Sequence, residues 1–360
     1  MKILILANSD IGLYKFRREL IAELLKENSV YISVPNGEYI QPLVNSGCIF
    51  IDSNIDRRGI NPFKDGKLIK EYFMLIRRIA PDLVITYTIK PNVYGGIVCR
   101  ILKKTYVVNI TGLGSAFEKG GWLSKVVTIM NRVACKDAKV VFFENEQNRR
   151  YFVEKKIVCE EKTYRLNGAG VNTQYFQVYE YPRGEKIRFL FMGRVMKEKG
   201  VEELFAAMHR LYEEGVNCCL DVLGGYEEDY KEIIDKYEKE GWLKYYGYQD
   251  DVRPYIARAH CFVLPSWHEG MANTNLESAA CGRPIITTNI SGCKEAIIPK
   301  VSGFLVEKCN VTDLYHKLKL FINMTYEERK GMGLAGRTHI EKNFDKREIV
   351  FNTLNEINRV

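Results

Sequence analysis

Glu269-Gly-Met-Ala-Asn-Thr-Asn-Leu-Glu277 sets two carboxylates eight positions apart across a loop-to-helix junction. The apolar run Cys261-Phe-Val-Leu264 precedes it, and Ala280-Cys-Gly-Arg-Pro-Ile-Ile286 follows as a helix end, a Gly-Pro turn and a short strand. The spacing puts Glu269 in the loop and Glu277 about one turn inside the helix. A helix start attracts phosphate through unpaired N–H groups and a partial positive charge. A carboxylate one turn further in can then hold the hydroxyls of a sugar attached to that phosphate. The competing reading is that both glutamates are ordinary solvated surface charges.

Outward from this stretch the same alternation fills the chain. Lys2–Ala7, Ser29–Val34, Leu83–Thr86, Tyr106–Ile110, Val140–Phe143 and Tyr164–Leu166 read as strands, with helices such as Leu13–Lys26, Phe63–Ile79 and Leu123–Cys135 between them. The series restarts with Arg188–Met192, Cys218–Leu223, Tyr245–Tyr246, Cys261–Leu264 and Pro284–Thr287. Continuous apolar strands alternating with amphipathic helices imply α/β architecture, with parallel sheets covered on both faces. Two series in 360 residues predict two doubly wound domains, 1–178 and 179–344. The seam falls in the polar, aperiodic stretch Gln177-Val-Tyr-Glu-Tyr-Pro-Arg-Gly-Glu185, and residues 345–360 form a last amphipathic helix that can pack back on the first domain.

Composition narrows the class. Hydrophobic residues make up 46% and charged residues 27%, as in soluble globular proteins. No run of about 18 uncharged apolar residues predicts a membrane span. Met1–Ala7 ends at Asn8 with charge following, which reads as a first strand rather than a signal peptide. The ten cysteines form no C-x-x-C pair, and several sit in apolar runs, the pattern of reduced, buried cytosolic thiols. Residues 1–180 carry 27 Lys and Arg against 18 Asp and Glu, whereas residues 181–360 carry 26 against 27. The whole surplus therefore lies in the first half, pointing to an anionic partner there: a membrane surface, a phosphorylated substrate or a nucleic acid.

Gly193-Arg194-Val-Met-Lys197-Glu-Lys199-Gly200 follows the first strand of the second series and opens a helix. Open parallel sheets bind ligands beyond the carboxyl ends of their strands. Cations at a helix start oppose the macrodipole, so Arg194 and Lys199 read better as an anion clamp than as a solvated helix start. Other segments are weaker. Asn8-Ser-Asp-Ile-Gly12 lacks the dinucleotide G-x-G-x-x-G pattern, and Asn167-Gly-Ala-Gly-Val-Asn172 reads as a turn. Thr111-Gly112-Leu-Gly-Ser-Ala116 either offers backbone N–H groups to a ligand or is a plain loop. There is no Asp-x-Asp pair to share a divalent ion, and Asp250-Asp251 reads as a helix N-cap. None of the five histidines has metal-ligand spacing, and His268 reads as structural. Basic runs such as Tyr14-Lys-Phe-Arg-Arg18 form no nucleic-acid module. Phe117-Glu-Lys-Gly-Gly-Trp122-Leu-Ser-Lys125 sets aromatics beside lysines, as at a membrane interface or at the start of a core-packed helix.

Together, Gly193-Arg194…Lys199-Gly200 and Glu269…Glu277 resemble the retaining GT-B glycosyltransferases of family 4. The resemblance spans the chain. Asn61-Pro-Phe63, Lys90-Pro-Asn92 and Thr111-Gly-Leu-Gly114 look like bacterial enzymes that extend polyprenyl-diphosphate-linked glycans for capsule, O-antigen or protein glycosylation. It implies a GT-B fold of two Rossmann-like domains about a cleft that closes on the donor. It further implies a nucleotide-sugar donor, UDP-linked by default, a lipid-linked glycan acceptor, no cofactor and no metal. Work at the inner face of the cytoplasmic membrane would follow, against an anionic surface and without nucleic acid. Arg194 and Lys199 would hold the diphosphate, Glu277 the ribose, and Glu269 would lie under the donor sugar near the N–H groups of Gly270 and Met271. Gly12, Gly193, Asn273 and Thr274 complete the implied donor site, while Lys90, Thr111 and Gly112 are candidates for acceptor or interdomain contacts. Many relatives place a histidine in the first domain; this chain has none there. Two other classes share the architecture: a nucleotide-sugar 2-epimerase or phosphorylase, and a non-catalytic sugar-nucleotide-binding protein.

Overall fold

The computed structural model describes residues 1–55, 62–113 and 121–359. The chain divides into two compact units, Met1–Ala169 with Arg347–Val360, and Gly170–Lys346. The division falls nine residues before the seam expected at 178/179. The reason is a short parallel bridge between Val171 and Asp345. Val171 donates its N–H to Phe344 O (2.8 Å), and Lys346 donates to Val171 O (3.0 Å), so the chain enters and leaves the second unit side by side.

The first unit carries strands β1 (Lys2–Leu6), β2 (Ser29–Val34), β3 (Ile49–Asp52), β4 (Leu83–Tyr87), β5 (Tyr106–Ile110), β6 (Val141–Phe143) and β7 (Thr163–Arg165). They form a parallel sheet in the order β3-β2-β1-β4-β5-β6-β7. β4 and β5 are buried along their whole length, which is why they read as nearly continuous apolar runs, broken only by Thr86 and Asn109. The short strand β3 was not expected. Its residues are partly exposed at the sheet edge, so the apolar signal is weak. The final helix, Lys346–Asn358, contributes Ile349, Val350 and Ile357 to the core beneath this sheet.

The second unit carries β8 (Ile187–Met192), β9 (Cys218–Leu223), β10 (Leu243–Tyr245), β11 (Cys261–Leu264), β12 (Ile285–Thr288) and β13 (Gly303–Val306), in the parallel order β10-β9-β8-β11-β12-β13. β13 is again an unexpected edge strand. Asp250-Asp251 is not the N-cap of the helix Arg253–Arg258: Val252 holds that position, and Asp251 Oδ1 accepts the Arg253 N–H at 3.0 Å one residue earlier. All ten cysteines are free; eight are buried, and Cys159 and Cys309 are exposed. Among the described residues no helix is long and apolar enough to cross a membrane.

Candidate functional site

In each sheet the strand order reverses beside the first strand of the series: between β1 and β4, and between β8 and β11. At such a switch point the connections after the two strands diverge to opposite faces and leave a crevice for ligand. In the second unit those connections are residues 193–200, singled out by sequence, and 265–272, which lead into the Glu269–Glu277 stretch singled out with them.

Glycines lock them together. Gly200 has φ +72°, and a Cβ there would lie 2.1 Å from Pro265 O. Gly224, after β9, has φ +134°, and its Cβ would lie 1.8 Å from Gly193 O. Only glycine permits either approach. The Trp267 N–H (2.9 Å) and Ser266 Oγ (3.2 Å) both donate to Glu198 O, fixing the β11 loop on the β8 loop. Gly292, at φ +91°, brings the loop after β12 against the carbonyls of Glu269 and Gly270, and the Ala272 N–H donates to Gly292 O at 2.7 Å. Three strand ends thus converge on Glu269.

The Lys199 ammonium donates to Glu269 Oε1, with side chains only 19% and 13% exposed. Arg194 is more open, 53% exposed, and its Nη1 donates to Glu227 Oε2 at 3.2 Å. Glu228, on the same loop as Glu227, accepts the Lys197 N–H at 2.7 Å. His268 Nε2 lies 3.3 Å from Glu198 Oε2.

Just beyond Gly270 and Met271 the helix Asn273–Ala280 begins. Its N-cap is Ala272, no side chain caps it, and its first turn carries no acid. The leading N–H groups and their partial positive charge are therefore open to an anion. Asn273 and Thr274 are half-buried in that first turn, and Asn273 Oδ1 is buried without a hydrogen-bond partner. Glu277 follows one turn in, half-buried. The helix is fixed from behind: Asn275 Nδ2 donates to Thr287 Oγ1 (3.1 Å), which donates to Leu264 O (2.8 Å).

The structure thus gathers Gly193, Arg194, Lys199, Glu269, Gly270, Met271, Asn273, Thr274 and Glu277 at one end of one sheet. It also adds residues the sequence reading missed: Gly224, Glu227, Glu228 and Gly292. Gly224-Gly225 at the end of β9 was the available signal for the first three. Nothing local marks Gly292, whose partner lies more than twenty residues earlier.

The remaining candidates lie in the first unit. Gly12 sits in the first turn of the helix Asp10–Leu25, where its N–H donates to Ser9 Oγ at 3.4 Å. The partner the structure gives Lys90 is Asp65 Oδ1, 2.8 Å away in the same unit. Thr111 and Gly112 (φ +153°) are half-buried after β5. Gly114 and the rest of that motif, like Arg57, Arg58 and Asn61, fall outside the described residues. Here the structure also pairs Arg17 with Glu144 at 2.6 Å, a contact with no sequence signature.

The fold and these strand-end loops define a GT-B glycosyltransferase. Sequence models of two families match in tandem: "Glycosyl transferase 4-like" over residues 2–145 and "Glycosyl transferases group 1" over residues 176–339. The chain belongs to the family 4-like GT-B glycosyltransferases. It is 26% identical over 356 residues to the N,N'-diacetylbacillosaminyl-diphospho-undecaprenol alpha-1,3-N-acetylgalactosaminyltransferase of Campylobacter jejuni, covering 93% of this chain and 92% of that one. It is 24% identical to the Staphylococcus aureus capsular polysaccharide biosynthesis glycosyltransferase CapM, over 81% of this chain and 80% of that one. Among solved structures, Anabaena Alr3699/HepE in complex with UDP and glucose superposes with a TM-score of 0.83 at 15% identity over the full length of both chains. A glycosyltransferase from Rickettsia africae gives 0.80 at 19% identity, covering 99% of this chain and 98% of that one.

Proposed function

We propose that this enzyme transfers a hexose or N-acetylhexosamine, with retention and without a metal ion, from a UDP-sugar to a polyprenyl-diphosphate-linked glycan used in surface polysaccharide or glycoconjugate synthesis. The observation that carries this reading is the half-buried Lys199–Glu269 pair immediately ahead of the uncapped helix Asn273–Ala280. It places a fixed cation, a carboxylate and open backbone N–H groups within one loop system, as a sugar joined to a diphosphate requires. The named substrate of the Campylobacter relative and the UDP and glucose held by the Anabaena neighbour support the acceptor and donor classes.

The chemistry follows from charge. Breaking the bond from the anomeric carbon to phosphate leaves a nucleotide diphosphate with added negative charge and an oxocarbenium-like sugar. Lys199 and Arg194 meet the first, sharing themselves with Glu269 and Glu227, which fix their positions before the donor arrives. Such preorganised charge is worth roughly 3–4 kcal/mol per donor group. Glu269 accepts hydrogen bonds from donor-sugar hydroxyls, and Glu277 from the ribose. The acceptor hydroxyl then attacks the face the phosphate is leaving, and a phosphate oxygen takes its proton.

Residues 1–180 carry the positive surplus. In the helix Gly121–Cys135, Val126, Ile129 and Val133 are exposed between Lys125, Arg132 and Lys136. Apolar residues flanked by lysine and arginine suit the interface of an anionic bilayer, and we assign this unit to the inner face of the cytoplasmic membrane. The side chains of 117–123 lie outside the described residues. The test is a panel of nucleotide sugars scored by thermal stabilisation, slow hydrolysis in EDTA, and proton NMR of the product's anomeric configuration. Selection of a UDP-sugar, activity in EDTA and a retained configuration are expected. Strict metal dependence or an inverted product overturns the mechanism.

A further inference from the structure

We propose that Glu203 and Trp267 are positioning residues for sugar transfer. One buried hydrogen bond between them sets where Glu269 stands against the donor sugar, so they govern the chemical step and not nucleotide binding; the role given to Glu269 rests on the function proposed above. Glu203 lies in the first turn of the helix Val201–Glu213, four residues past Lys199, and Trp267 lies two residues before Glu269. Trp267 Nε1 donates to Glu203 Oε1 at 3.1 Å. The same two segments are thus joined twice through side chains, Lys199 to Glu269 and Trp267 to Glu203. Lys197 Nζ stands over the Trp267 ring, 5.8 Å from its centre.

Burying a carboxylate is costly, and Glu203 is only 8% exposed. The helix macrodipole favours an acid in the first turn. Glu202 already supplies one in solvent, where it meets Lys197 (3.2 Å) and the Tyr230 hydroxyl (3.0 Å). The helix start therefore gives no reason to bury a second carboxylate. Nor do the loops need this bond to stay together. Gly200 closes on Pro265 O, the Trp267 N–H and Ser266 Oγ both reach Glu198 O, and the Ala272 N–H reaches Gly292 O. Those contacts fix the main chain. The indole–carboxylate bond fixes the side chain of residue 267, and so resists rotation of the peptides that lead from it to Glu269. A misplacement of about 1 Å in a group that meets the reacting sugar can lower the rate by about a hundredfold. A bare nucleotide diphosphate has no sugar for Glu269 to meet and does not feel the shift.

Steady-state hydrolysis of UDP-glucose, UDP-galactose and their 2-N-acetyl forms, calorimetry with UDP, and thermal melts test this on the full chain. Trp267→Phe deletes the indole N–H and keeps an aromatic ring. It should lower kcat for the best of these donors by about tenfold and leave the UDP Kd within about twofold. Its melt should also fall, because the Glu203 carboxylate stays buried without its donor. Adding Glu203→Leu to Trp267→Phe removes that carboxylate, so the melt should recover while kcat stays low. In Glu203→Gln the amide oxygen still accepts the indole N–H, and kcat should stay within about threefold of wild type. That variant decides the matter should the double variant not fold. A merely structural pair would regain kcat together with the melt in the double variant, and that result overturns the proposal. So does wild-type kcat in Trp267→Phe, a Glu203→Gln as slow as Trp267→Phe, or UDP binding weakened in proportion to kcat. Any of these in a chain whose wild type hydrolyses a nucleotide sugar leaves the transferase reading standing. A wild type that hydrolyses none breaks that reading, and the positioning role falls with it.

Discussion

The two units repeat one topology and treat their switch points oppositely. After β1 the turn is short, Ser9 caps the helix Asp10–Leu25, and Asp10 in its first turn accepts the Tyr39 N–H at 3.0 Å. That helix start already has its hydrogen bonds and its counter-charge. After β4, Thr88 sits at φ +72°, unusual for a β-branched residue, and Lys90 is neutralised by Asp65. In the second unit the corresponding loops are held by glycines that permit van der Waals approach of backbone to backbone. The helix Asn273–Ala280 starts with neither cap nor acid, and Lys199 and Arg194 stand beside it in the chain's other switch-point loop. The same topology therefore makes a closed end in one unit and an open end in the other. The difference lies in which polar groups are left for a ligand.

The largest expected effect tests that contrast with two lysines in ion pairs. Lys199→Ala should lower turnover by roughly two to three orders of magnitude, because it removes charge stabilisation felt by the leaving group. Lys90→Ala should leave UDP affinity unchanged and cost on the order of 3 kcal/mol of stability, since it strands the buried Asp65 carboxylate. Steady-state kinetics, calorimetry with UDP and denaturant melts separate the two. Equal losses of turnover and equal melts would erase the distinction between the ends. Arg194→Ala should fall between wild type and Lys199→Ala, as its guanidinium is half in solvent.

Next is the glycine lock. Gly200→Ala should cost roughly 3 kcal/mol, combining a positive φ with a clash against Pro265 O, and turnover should fall with it. Gly215→Ala is the control: φ is +69°, but nothing lies within 4 Å of the added Cβ, so only about 1 kcal/mol of strain is expected. Indistinguishable melts would mean that the loops have room to separate.

The open end was legible in the sequence because its residues are close in the chain. Gly193 to Gly200 and Glu269 to Glu277 each fit within one strand-loop-helix passage, so spacing reported their placement. The fold was legible for a related reason: strands buried on both faces, such as β4, β5 and β9, are nearly continuous apolar runs, each broken by a single polar residue, Thr86, Asn109 and Asp221. Strand β3 escaped notice because its edge residues are partly exposed, and β13, although largely buried, because it is only four residues long and opens on Gly303. The ion pairs Lys199–Glu269 and Arg17–Glu144 join residues 70 and 127 positions apart. No local period encodes such pairs; they exist only because parallel strands bring their carboxyl ends together. The Gly224 and Gly292 contacts were hidden in the same way.

Acid should also distinguish the units, since all five histidines lie at 209–339, within the second. His260 is buried, and burial, with Arg329, Arg283 and Arg188 nearby, lowers its pKa from 6.5 to about 4. Its Nδ1 also accepts the Arg188 N–H at 3.1 Å, which requires that nitrogen to be unprotonated. The folded state keeps it neutral, whereas the unfolded chain takes up a proton near 6.5. Below pH 6.5 the unfolded state therefore binds more protons, and stability falls until about pH 4, by on the order of 3 kcal/mol. Hydrogen exchange at pH 7.5 and 5 should show the second unit losing protection relative to the first. His260→Asn, whose Oδ1 can accept the same N–H, should flatten the change. A pH response equal in both units would assign the acid sensitivity elsewhere.

The smallest effect sharpens the reading of the open end itself. Glu277 lies one turn inside the helix Asn273–Ala280, past the N–H groups that would meet phosphate, and is half-buried. A carboxylate there repels phosphate weakly and attracts hydroxyl donors, so under the proposed function its contact with ribose would be made in the ground state and kept in the transition state. Glu277→Ala should accordingly weaken UDP binding by about tenfold, the loss of one or two charge-assisted hydrogen bonds, with kcat/KM falling in step and kcat changing little. Glu269→Gln should behave differently. It preserves shape while releasing Lys199 from its counter-ion, so UDP, which lacks the sugar, should bind at least as tightly while transfer slows. Titration calorimetry with UDP alone and kinetics with the intact donor resolve the two. Weakened UDP binding in Glu269→Gln, matching that of Glu277→Ala, would show that both carboxylates grip the nucleotide and that the sugar is held from another side.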